Sequence, residues 1–297
     1  MARLINLTIF LFCLLLGLVN NQLFSFMLKL IDDAHYVNQR IEVINQLGRF
    51  RSELEQHLNA SFYASRGLEL LVSSNASGKP ILDVYGQQVA LWAEKTSREL
   101  PYLRNIGISQ GYVLSYVYPK EGNEKVLGYD YRDLPDQWPA VERAIKNHLP
   151  VVAGPLSLIQ GGEGIICRIP LFTGVTKDNK GDFVGVVSMV LDYSELLRSA
   201  GFLEKEKKLL MAIRGRDGLG ATGEVFQGGA SVFDTGVIQT VSFLGGEWLL
   251  AAQPQQGWER ESVYSYWLGW LGHLISIFIA LVSYVAIKSV LIPERDK

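Results

Sequence analysis

The stretch GPLSLIQGGEGIICRIPLF, residues 154–172, decides the fold of the middle of the chain. Its first half is rich in glycine. In its second half, residues 164–172, successive side chains would fall on alternate faces of a strand. One face of that half carries Ile165, Cys167, Ile169 and Leu171, and the other carries Ile166, Arg168, Pro170 and Phe172. Because side chains of a strand point alternately to its two faces, the pattern predicts a β-strand with apolar residues on both faces.

Arg168 is the only charged residue of this predicted strand, so it needs a partner. A buried charge without one is costly. Two partners fit the residue: a structural carboxylate such as Asp130 or Asp192, or an anionic ligand held by the guanidinium fork. Simple exposure to solvent is the third alternative.

Further strands and helices are predicted on both sides of this stretch. Before it, a helix is expected over residues 83–100, strands over 112–118 and 126–131, and a helix over 136–147 capped by Asp136. After it, a loop at 173–180 joins a strand at 183–191, followed by a helix at 193–200. A second β region follows, with strands over 208–214, 223–226, 232–234, 237–243 and 247–252. This order indicates an α+β fold with antiparallel sheets.

The apolar residues that raise the mean hydropathy to +0.14 lie at the two chain ends. Residues 4–28 and 263–287 contain no charge, and about 20 apolar residues in a helix cross a bilayer. Residues 20–26 contain no small-x-small cleavage site, so the first segment is interpreted as an uncleaved anchor. Aromatic residues at the start of the second segment suit a headgroup belt.

Basic residues flank the outer ends of both segments: Arg3 precedes the first, and Lys288, Arg295 and Lys297 follow the second. Because cytoplasmic flanks carry excess positive charge, both termini are predicted in the cytoplasm, with residues 288–297 as a cytoplasmic tail. The chain is then a two-span membrane protein with a single extracytoplasmic domain. The lipid bilayer is its first expected partner.

A long helix is predicted over residues 30–75, directly after the first span. Its apolar stripe, at three- and four-residue steps, comprises Val37, Ile41, Ile44, Leu47, Leu54, Leu58 and Phe62. Such a stripe either packs on the helix's own domain or forms the seam of a homodimer. Both interpretations stay open, and they are compatible.

Several activities are excluded by composition and motif context. A net charge of −2 disfavours nucleic acid as a partner. Gly107-Ile108-Ser109-Gln110-Gly111 fits a nucleophile elbow, but a strand follows it where a helix is needed. The glycines at 218, 220 and 223 fit a dinucleotide motif but lead into a short strand. We therefore expect no enzyme, no cofactor and no metal site, and Cys167 is expected to be a buried apolar residue.

The chain resembles the CHASE extracytoplasmic sensor domain of membrane receptors, in its bacterial branch. That resemblance implies a bacterial inner membrane and a periplasmic location for the domain. The resemblance covers roughly residues 35–260 and is carried by residues 117–119, 122–124, 127–130, 144, 154–162, 168–172, 183–188, 212–215, 228–229, 248–252 and 257–258. It implies two PAS-like subdomains, a membrane-distal one at residues 80–200 with a small-molecule pocket and a membrane-proximal one at 201–260. Arg168 falls on the pocket strand, where plant hormone-binding members carry a ligand-contacting threonine.

The expected site lies on the strands of the larger subdomain, where aromatic, apolar and a few polar groups converge. Its residues are predicted to be Tyr116, Tyr118, Asp130, Leu158, Gln160 and Arg168. The ligand is a small molecule, anionic if Arg168 anchors it. The resemblance implies a sensor that relays its signal through the spans to a histidine kinase or cyclic-di-GMP enzyme absent from this chain. The alternative is a stand-alone membrane-anchored binding or assembly protein that pairs with a full-length receptor.

Overall fold

The structure, a computed structural model of the chain, describes residues 2–74, 79–176, 179, 181–202 and 208–291. The chain divides into two compact units. One consists of the two chain ends, up to Glu42 and from Gln256 onward, and the other is Val43–Gln255. Parts of four predicted segments lie outside the described residues: residue 75 of the long helix at 30–75, residues 177, 178 and 180 of the loop at 173–180, residues 203–207 of the membrane-proximal subdomain, and 292–297 of the tail.

The chain ends are two helices, α1 (Ala2–Ser73) and α6 (Val263–Leu291). Each contains a stretch long and apolar enough to cross a membrane, and only 17% and 11% of these stretches are buried within the chain. A core helix of a water-soluble domain would be mostly buried, so the exposure favours contact with lipid. Helix α1 continues without a break through the predicted end of the first span into the predicted long helix.

The larger sheet of the unit Val43–Gln255 has five antiparallel strands. They are β1 (Leu103–Gln110), β2 (Val113–Tyr118), β3 (Val151–Ser157), β4 (Glu163–Thr173) and β5 (Asp182–Asp192), in the spatial order β2-β1-β5-β4-β3. The quoted stretch forms the edge strand β3, a tight loop and β4. Three helices accompany the sheet: α2 (Ile81–Glu99), α3 (Trp138–Asn147) and α4 (Tyr193–Ser199).

The smaller sheet has four antiparallel strands. They are β6 (Leu209–Arg214), β7 (Val225–Gln227), β8 (Val237–Phe243) and β9 (Gly246–Pro254), in the order β7-β6-β9-β8. Its core is aromatic: Trp248 is fully buried, with its ring 5.1 Å from that of Phe226 and 5.2 Å from that of Phe243. Helix α1 is bound to this sheet at β8: Glu55 accepts a hydrogen bond from the backbone N–H of Ser242 at 2.9 Å.

The predicted apolar stripe of α1 is divided between two environments. Leu47, Leu54 and Leu58 are completely buried in the unit Val43–Gln255, which is ordinary packing on the helix's own domain. Val37 and Ile41, by contrast, are about half exposed, at 51% and 48%. Ile44, the next residue of the stripe, is 40% exposed as well, so any dimer seam on this stripe is limited to Val37, Ile41 and Ile44.

The predicted α+β architecture is confirmed in its elements: a long N-terminal helix, two antiparallel sheets and a second apolar helix. Two predicted strands are wrong. Within residues 126–131, only Val126 and Tyr131 belong to 3-10 turns, and Asp130 forms a single isolated bridge to Val113. Gly128 between them takes a left-handed φ of +83° that turns the chain. Residues 232–234 lie in a one-turn helix, α5 (Val232–Thr235), closed by a bond from Gly236 N–H to the Val232 carbonyl. Asp136 is not a cap, since α3 begins after Gln137.

Candidate ligand-binding site

Arg168 lies on β4, between β5 and the edge strand β3 of the five-stranded sheet. Pairing of β4 with β5 sets Arg168 opposite Ser188, and its Nη1 donates to Ser188 Oγ at 3.1 Å. Nη2 donates to Gln137 Oε1, 2.7 Å away, at the residue before α3. The guanidinium carbon is 4.8 Å from the centre of the Tyr131 ring, a cation–π distance. The tyrosine hydroxyl in turn lies 2.9 Å from Ser188 Oγ.

The charge of Arg168 is fully buried and has only neutral partners. The side chain has no exposed surface, and within the described part of the chain it forms no ion pair. Its Nε has no hydrogen-bond partner there either. Burial lowers the pKa of the guanidinium, because desolvation penalises the charged form. A buried cation with a free donor is the arrangement that an anionic group would complete.

A small cavity adjoins the guanidinium and runs under the loop after β3. Its free volume is about 40 Å³, room for roughly three water molecules. The wall combines apolar side chains with uncharged polar ones. It is made of Asn105, Gly107, Leu114, Val126, Tyr129, Tyr131, Leu134, Gln137, Leu158, Ile159, Gln160, Ile166, Arg168, Ser188 and Val190.

The loop over the cavity is the glycine-rich half of the quoted stretch. The backbone N–H of Leu158 donates to the Gly162 carbonyl, and that of Gly161 donates to the Leu158 carbonyl, both at 2.9 Å. Gly161 and Gly162 take positive φ values of +87° and +77°, which favour glycine. This tight turn holds Leu158 and Gln160 against the cavity.

Three of the six predicted site residues lie together at this cavity: Leu158, Gln160 and Arg168. Tyr116 and Tyr118 do not. A register shift in the pairing of β1 with β2 puts Leu114 and Val117 of β2 into the core, and the two tyrosines are only partly buried. Partial burial raises the pKa of Tyr116.

Asp130 lies outside the cavity and does not contact Arg168. It pairs with Arg132, Oδ1 to Nε at 3.0 Å and Oδ2 to Nη2 at 2.6 Å. The hydrogen bonds from Arg132 lower the pKa of this carboxyl. Asp192, the other predicted carboxylate partner, caps α4 by accepting from Glu195 N–H at 2.9 Å. Both carboxylates proposed as structural partners of Arg168 are thus engaged elsewhere.

Sequence reasoning missed Tyr131, Gln137, Ser188 and Asn105, which complete the polar side of the cavity. Ser188 could have been found, because it ends the apolar run 183–187 of β5 and pairs with the strand of Arg168. Asn105 lies on β1, a strand that the pattern did not predict. Its Nδ2 donates to Asn123 Oδ1 at 2.9 Å, and Asn123 is itself buried.

The edge strand β3 connects the cavity loop to the smaller sheet. Asp217 accepts a hydrogen bond from Gly154 N–H at 2.6 Å, and Arg216 donates to the Pro155 carbonyl at 2.8 Å. Both contacts fall at the irregularity of β3 between Ala153 and Leu156. The loop that contains Arg216 and Asp217 is thus hydrogen-bonded to β3 a few residues before the cavity loop begins.

Both catalytic-looking motifs have structural roles. Ser109 is buried on β1; its hydroxyl donates to the Gly111 carbonyl and accepts from Val186 N–H, both at 2.8 Å. The glycine motif at 218–223 forms 3-10 turns before β7, with no helix to hold a pyrophosphate. Cys167 is a buried free thiol whose pKa is raised by burial, which makes it unreactive.

These residues form a small cavity, lined by apolar and polar side chains, in a domain whose sequence lies between two apolar helices. Residues 83–226 match the family model of the CHASE domain. The predicted CHASE resemblance is therefore confirmed over that segment, which contains the cavity and the loop of Arg216 and Asp217. A comparison with curated proteins finds no match.

Solved structures similar to this chain include three bacterial receptor domains. An extracellular ligand-binding receptor from Desulfohalobium retbaense is 17% identical with a TM-score of 0.46; the match covers 68% of this chain and 39% of that one. The sensory domain of a Campylobacter jejuni chemoreceptor is 11% identical, covering 76% and 97%, with a TM-score of 0.49. The ligand-binding domain of a Pseudomonas aeruginosa amino acid chemoreceptor, solved with L-Arg, is 12% identical, covering 84% and 98%, with a TM-score of 0.48.

Proposed function

We propose that the protein is a membrane-anchored sensor that binds a small anionic molecule at Arg168 and relays its presence through α1 and α6 to a cytoplasmic output module. The observation that carries the proposal is the buried guanidinium with neutral partners and an unpaired Nε. Burying a charge in this way is costly unless something compensates it, and a carboxylate on a ligand would do so with charge-assisted hydrogen bonds.

The cavity's polar residues indicate the size and shape of the ligand. Near Arg168 the wall offers the amides of Asn105, Gln137 and Gln160, which can bind a second polar group. The apolar wall from Leu114, Leu158 and Val190 suits a short carbon skeleton. A compact molecule with one anionic group and one further polar group fits this set.

Ligand access requires movement of the loop at residues 158–162. About 40 Å³ is well below the roughly 300 Å³ at which ordinary ligand pockets begin. A ligand of ordinary size would need this loop to open, and the glycines at 161 and 162 are the natural hinge positions.

The relay follows from the same loop. Opening of residues 158–162 would pull on β3, where Gly154 and Pro155 are bound by Asp217 and Arg216. The smaller sheet is in turn bound to α1, through Glu55 at Ser242 and Asn59 at Leu244. A ligand that stabilises one loop position would thereby favour one position of α1, which continues into the first span.

Binding is tested with the full chain in lipid nanodiscs. Thermal stability is measured against a panel of small carboxylates, each beside its neutral amide. We expect stabilisation by a carboxylate and none by its amide, and loss of that shift in Arg168→Met. Arg214→Met is the matched control, since Arg214 also lies over an aromatic ring, 4.5 Å from the Phe233 centre, but on the smaller sheet. Equal shifts by acid and amide, or a shift that survives Arg168→Met, would contradict the anchor.

The relay is tested in the same sample by disulfide formation between the two spans. Asn20→Cys and Ser276→Cys replace side chains that are hydrogen-bonded at 2.9 Å, in a chain whose Cys13 and Cys167 are serines. The cross-linking rate should change when the ligand is added. A binding protein without relay would show ligand binding and an unchanged rate.

A further inference from the structure

The segment that leads into α6 is hydrogen-bonded to α1 outside the first span. Strand β9 ends at Pro254 and α6 begins at Val263. Between them, the backbone N–H of Glu259 donates to Gln39 Oε1 at 3.2 Å, and Gln39 Nε2 donates to the Glu259 carbonyl at 3.1 Å. We call this pair of hydrogen bonds the latch, because it holds residues 256–262 to α1.

His35, one turn before Gln39 on α1, adds a third bond to the latch. Its Nε2 lies 2.7 Å from Gln39 Nε2. The amide nitrogen can only donate, so this ring nitrogen accepts and carries no hydrogen. Turning the Gln39 amide over would break the latch, because Oε1 would then face the Glu259 carbonyl and Nε2 would face the Glu259 N–H. The closed latch therefore requires a neutral imidazole with its hydrogen on Nδ1.

A protonated His35 has a competing partner on the same segment. The carboxylate oxygen Oε2 of Glu259 lies 3.6 Å from His35 Nε2. Imidazole is the side chain that gains a proton as the pH falls from about 8 to about 5. The new N–H on Nε2 would face the N–H of Gln39, whereas the carboxylate would attract it. Acid therefore replaces the bond to Gln39 by an ion pair with the Glu259 side chain.

A second contact of the same segment lies nearer the membrane and contains no histidine. Asp32 Oδ1 accepts from the backbone N–H of Ser262 at 2.8 Å and from the hydroxyl of Ser265. We call this contact the anchor. A carboxylate at the start of α6 is also favoured by the partial positive charge of the helix N-terminus. Asp32 is about 11 Å from Gln39 along α1, at 1.5 Å per residue, so the anchor and the latch are separate contacts.

The other charged groups around His35 are engaged elsewhere or exposed. Arg40 of α1 donates to the Tyr36 hydroxyl at 3.3 Å and lies 5.2 Å from the centre of the Trp258 ring. Three further charged side chains are exposed, where water and salt screen them: Asp33, Arg260 and Glu261. Among the described residues, Glu259 is thus the one acid within ion-pair distance of His35.

We propose that this contact is a proton-sensitive input of the protein: protonation of His35 opens the latch and frees the segment that leads into α6. The anchor at Asp32 stays closed, so the change is confined to the residues before Ser262. Opening requires no ligand and no residue of the cavity at Arg168. Failure of this proposal therefore leaves the proposed ligand site standing, and the reverse holds as well.

Opening is measured by hydrogen–deuterium exchange of the full chain in lipid nanodiscs. Rates are expressed as protection factors, which remove the direct effect of pH on exchange. The N–H of Glu259 reports on the latch, and the N–H of Ser262 reports on the anchor. Between pH 7.5 and 5.5 the protection of Glu259 should fall roughly fivefold, the effect of one hydrogen bond, and that of Ser262 should change less than twofold.

Variants at His35 separate its charge from its presence. His35→Gln keeps a neutral acceptor and should protect Glu259 equally at both pH values. His35→Lys carries a positive charge and no acceptor, so Glu259 should already be poorly protected at pH 7.5. His57→Gln is the matched control: it removes another histidine of α1, one that packs on Tyr102, and should leave the pH response of Glu259 unchanged.

The proposal is overturned if Glu259 of the parent is equally protected at both pH values, or if its loss of protection persists in His35→Gln. Full protection in His35→Lys would overturn it too. A parallel loss at Ser262 would show that acid loosens the whole segment and not the latch. Gln39→Ala checks the readout, since it should lower the protection of Glu259 at both pH values; unchanged protection there would show that Gln39 does not hold the segment.

Discussion

The two sheets of the unit Val43–Gln255 each place an arginine over an aromatic ring, yet the two arginines differ in how deeply they are buried. In the five-stranded sheet, Arg168 is fully buried over Tyr131. In the four-stranded sheet, Arg214 lies over Phe233 but keeps part of its surface in solvent. The first arginine must find its compensation inside the protein, whereas water supplies it to the second.

The cores of the two sheets also differ: the core of the smaller sheet is aromatic, and that of the larger sheet contains polar side chains. Trp248 fills the smaller sheet between Phe226 and Phe243, and its indole Nε1 lacks a hydrogen-bond partner in the described chain. The larger sheet instead surrounds its cavity with Ser188, Gln137 and Asn105. The comparison shows that the smaller sheet has a closely packed aromatic core, whereas the core of the larger sheet contains a small cavity surrounded by polar groups.

The largest effect on stability is expected from removing the buried indole ring of the smaller sheet. Trp248→Ala should destabilise the protein by about 3–5 kcal/mol, because it removes a fully buried ring and leaves a cavity. Urea unfolding followed by circular dichroism measures the loss. Trp248→Phe is the control: it keeps an aromatic ring and breaks no hydrogen bond, so its loss should be much smaller. Equal losses would show that the indole has a polar role.

Replacing the buried charge of the larger sheet by an apolar side chain should not lower stability. Arg168→Met removes a desolvated charge while keeping a long apolar side chain, so the free energy of unfolding should stay constant or rise by about 1–2 kcal/mol. Ser188 keeps its bond with Tyr131, and the partly exposed Gln137 can turn to solvent. A loss of about 3 kcal/mol or more would instead mark Arg168 as a structural residue and remove the contrast between the sheets.

A smaller effect is expected at the ring under the guanidinium. Tyr131→Phe keeps the cation–π contact but removes the hydroxyl bonded to Ser188, which should cost about 1 kcal/mol. The stability measurement is repeated with the double variant Tyr131→Phe, Ser188→Ala. If the two groups act only on each other, the double variant should lose less than the sum of the single losses.

The smallest effect concerns pH and lies on α1, which contacts both sheets. His57 packs its ring 4.6 Å from that of Tyr102, and burial lowers its pKa below the ordinary 6.5, although Glu53 opposes the shift. The unfolded chain then binds a proton more readily than the folded one. Stability should therefore decline as pH falls below about 6.5.

Unfolding midpoints at pH 7.5 and 5.5, compared between the parent and His57→Gln, measure this contribution. The parent should lose more stability than the variant over this interval. An equal loss in both would assign the acid sensitivity to other groups.

Local pattern predicted much of the architecture. The strict alternation of residues 164–172 and the β-branched run 183–191 gave β4 and β5 nearly to the residue, because both faces of central strands are buried and apolar. Strands β1 and β3 were not predicted. The sequence LRNIGISQ of β1 mixes polar residues and glycine, and β3 contains Gly154-Pro155, which disfavours a strand by itself.

Half of the candidate site followed from sequence, and the reason lies in distance along the chain. Leu158, Gln160 and Arg168 belong to one continuous stretch whose turn and alternation fix where they point. Asp130 was expected at Arg168 on the basis of charge, but a nearer cation, Arg132, pairs with it. Tyr116 and Tyr118 are displaced by a register shift that only strand pairing reveals.

The sequence by itself determined that two apolar helices flank an α+β domain and that Arg168, the only charge on an apolar strand, would need a partner. These properties depend on composition and on periods of two and 3.6 residues, which are local. Only the tertiary structure decided that Ser188, Gln137 and Tyr131 surround that charge, that a cavity lies beside it, and that Asn21 meets His273. Each of those contacts joins residues far apart in the chain. Strand order and packing decide which of them meet, and no single segment of the sequence determines strand order or packing.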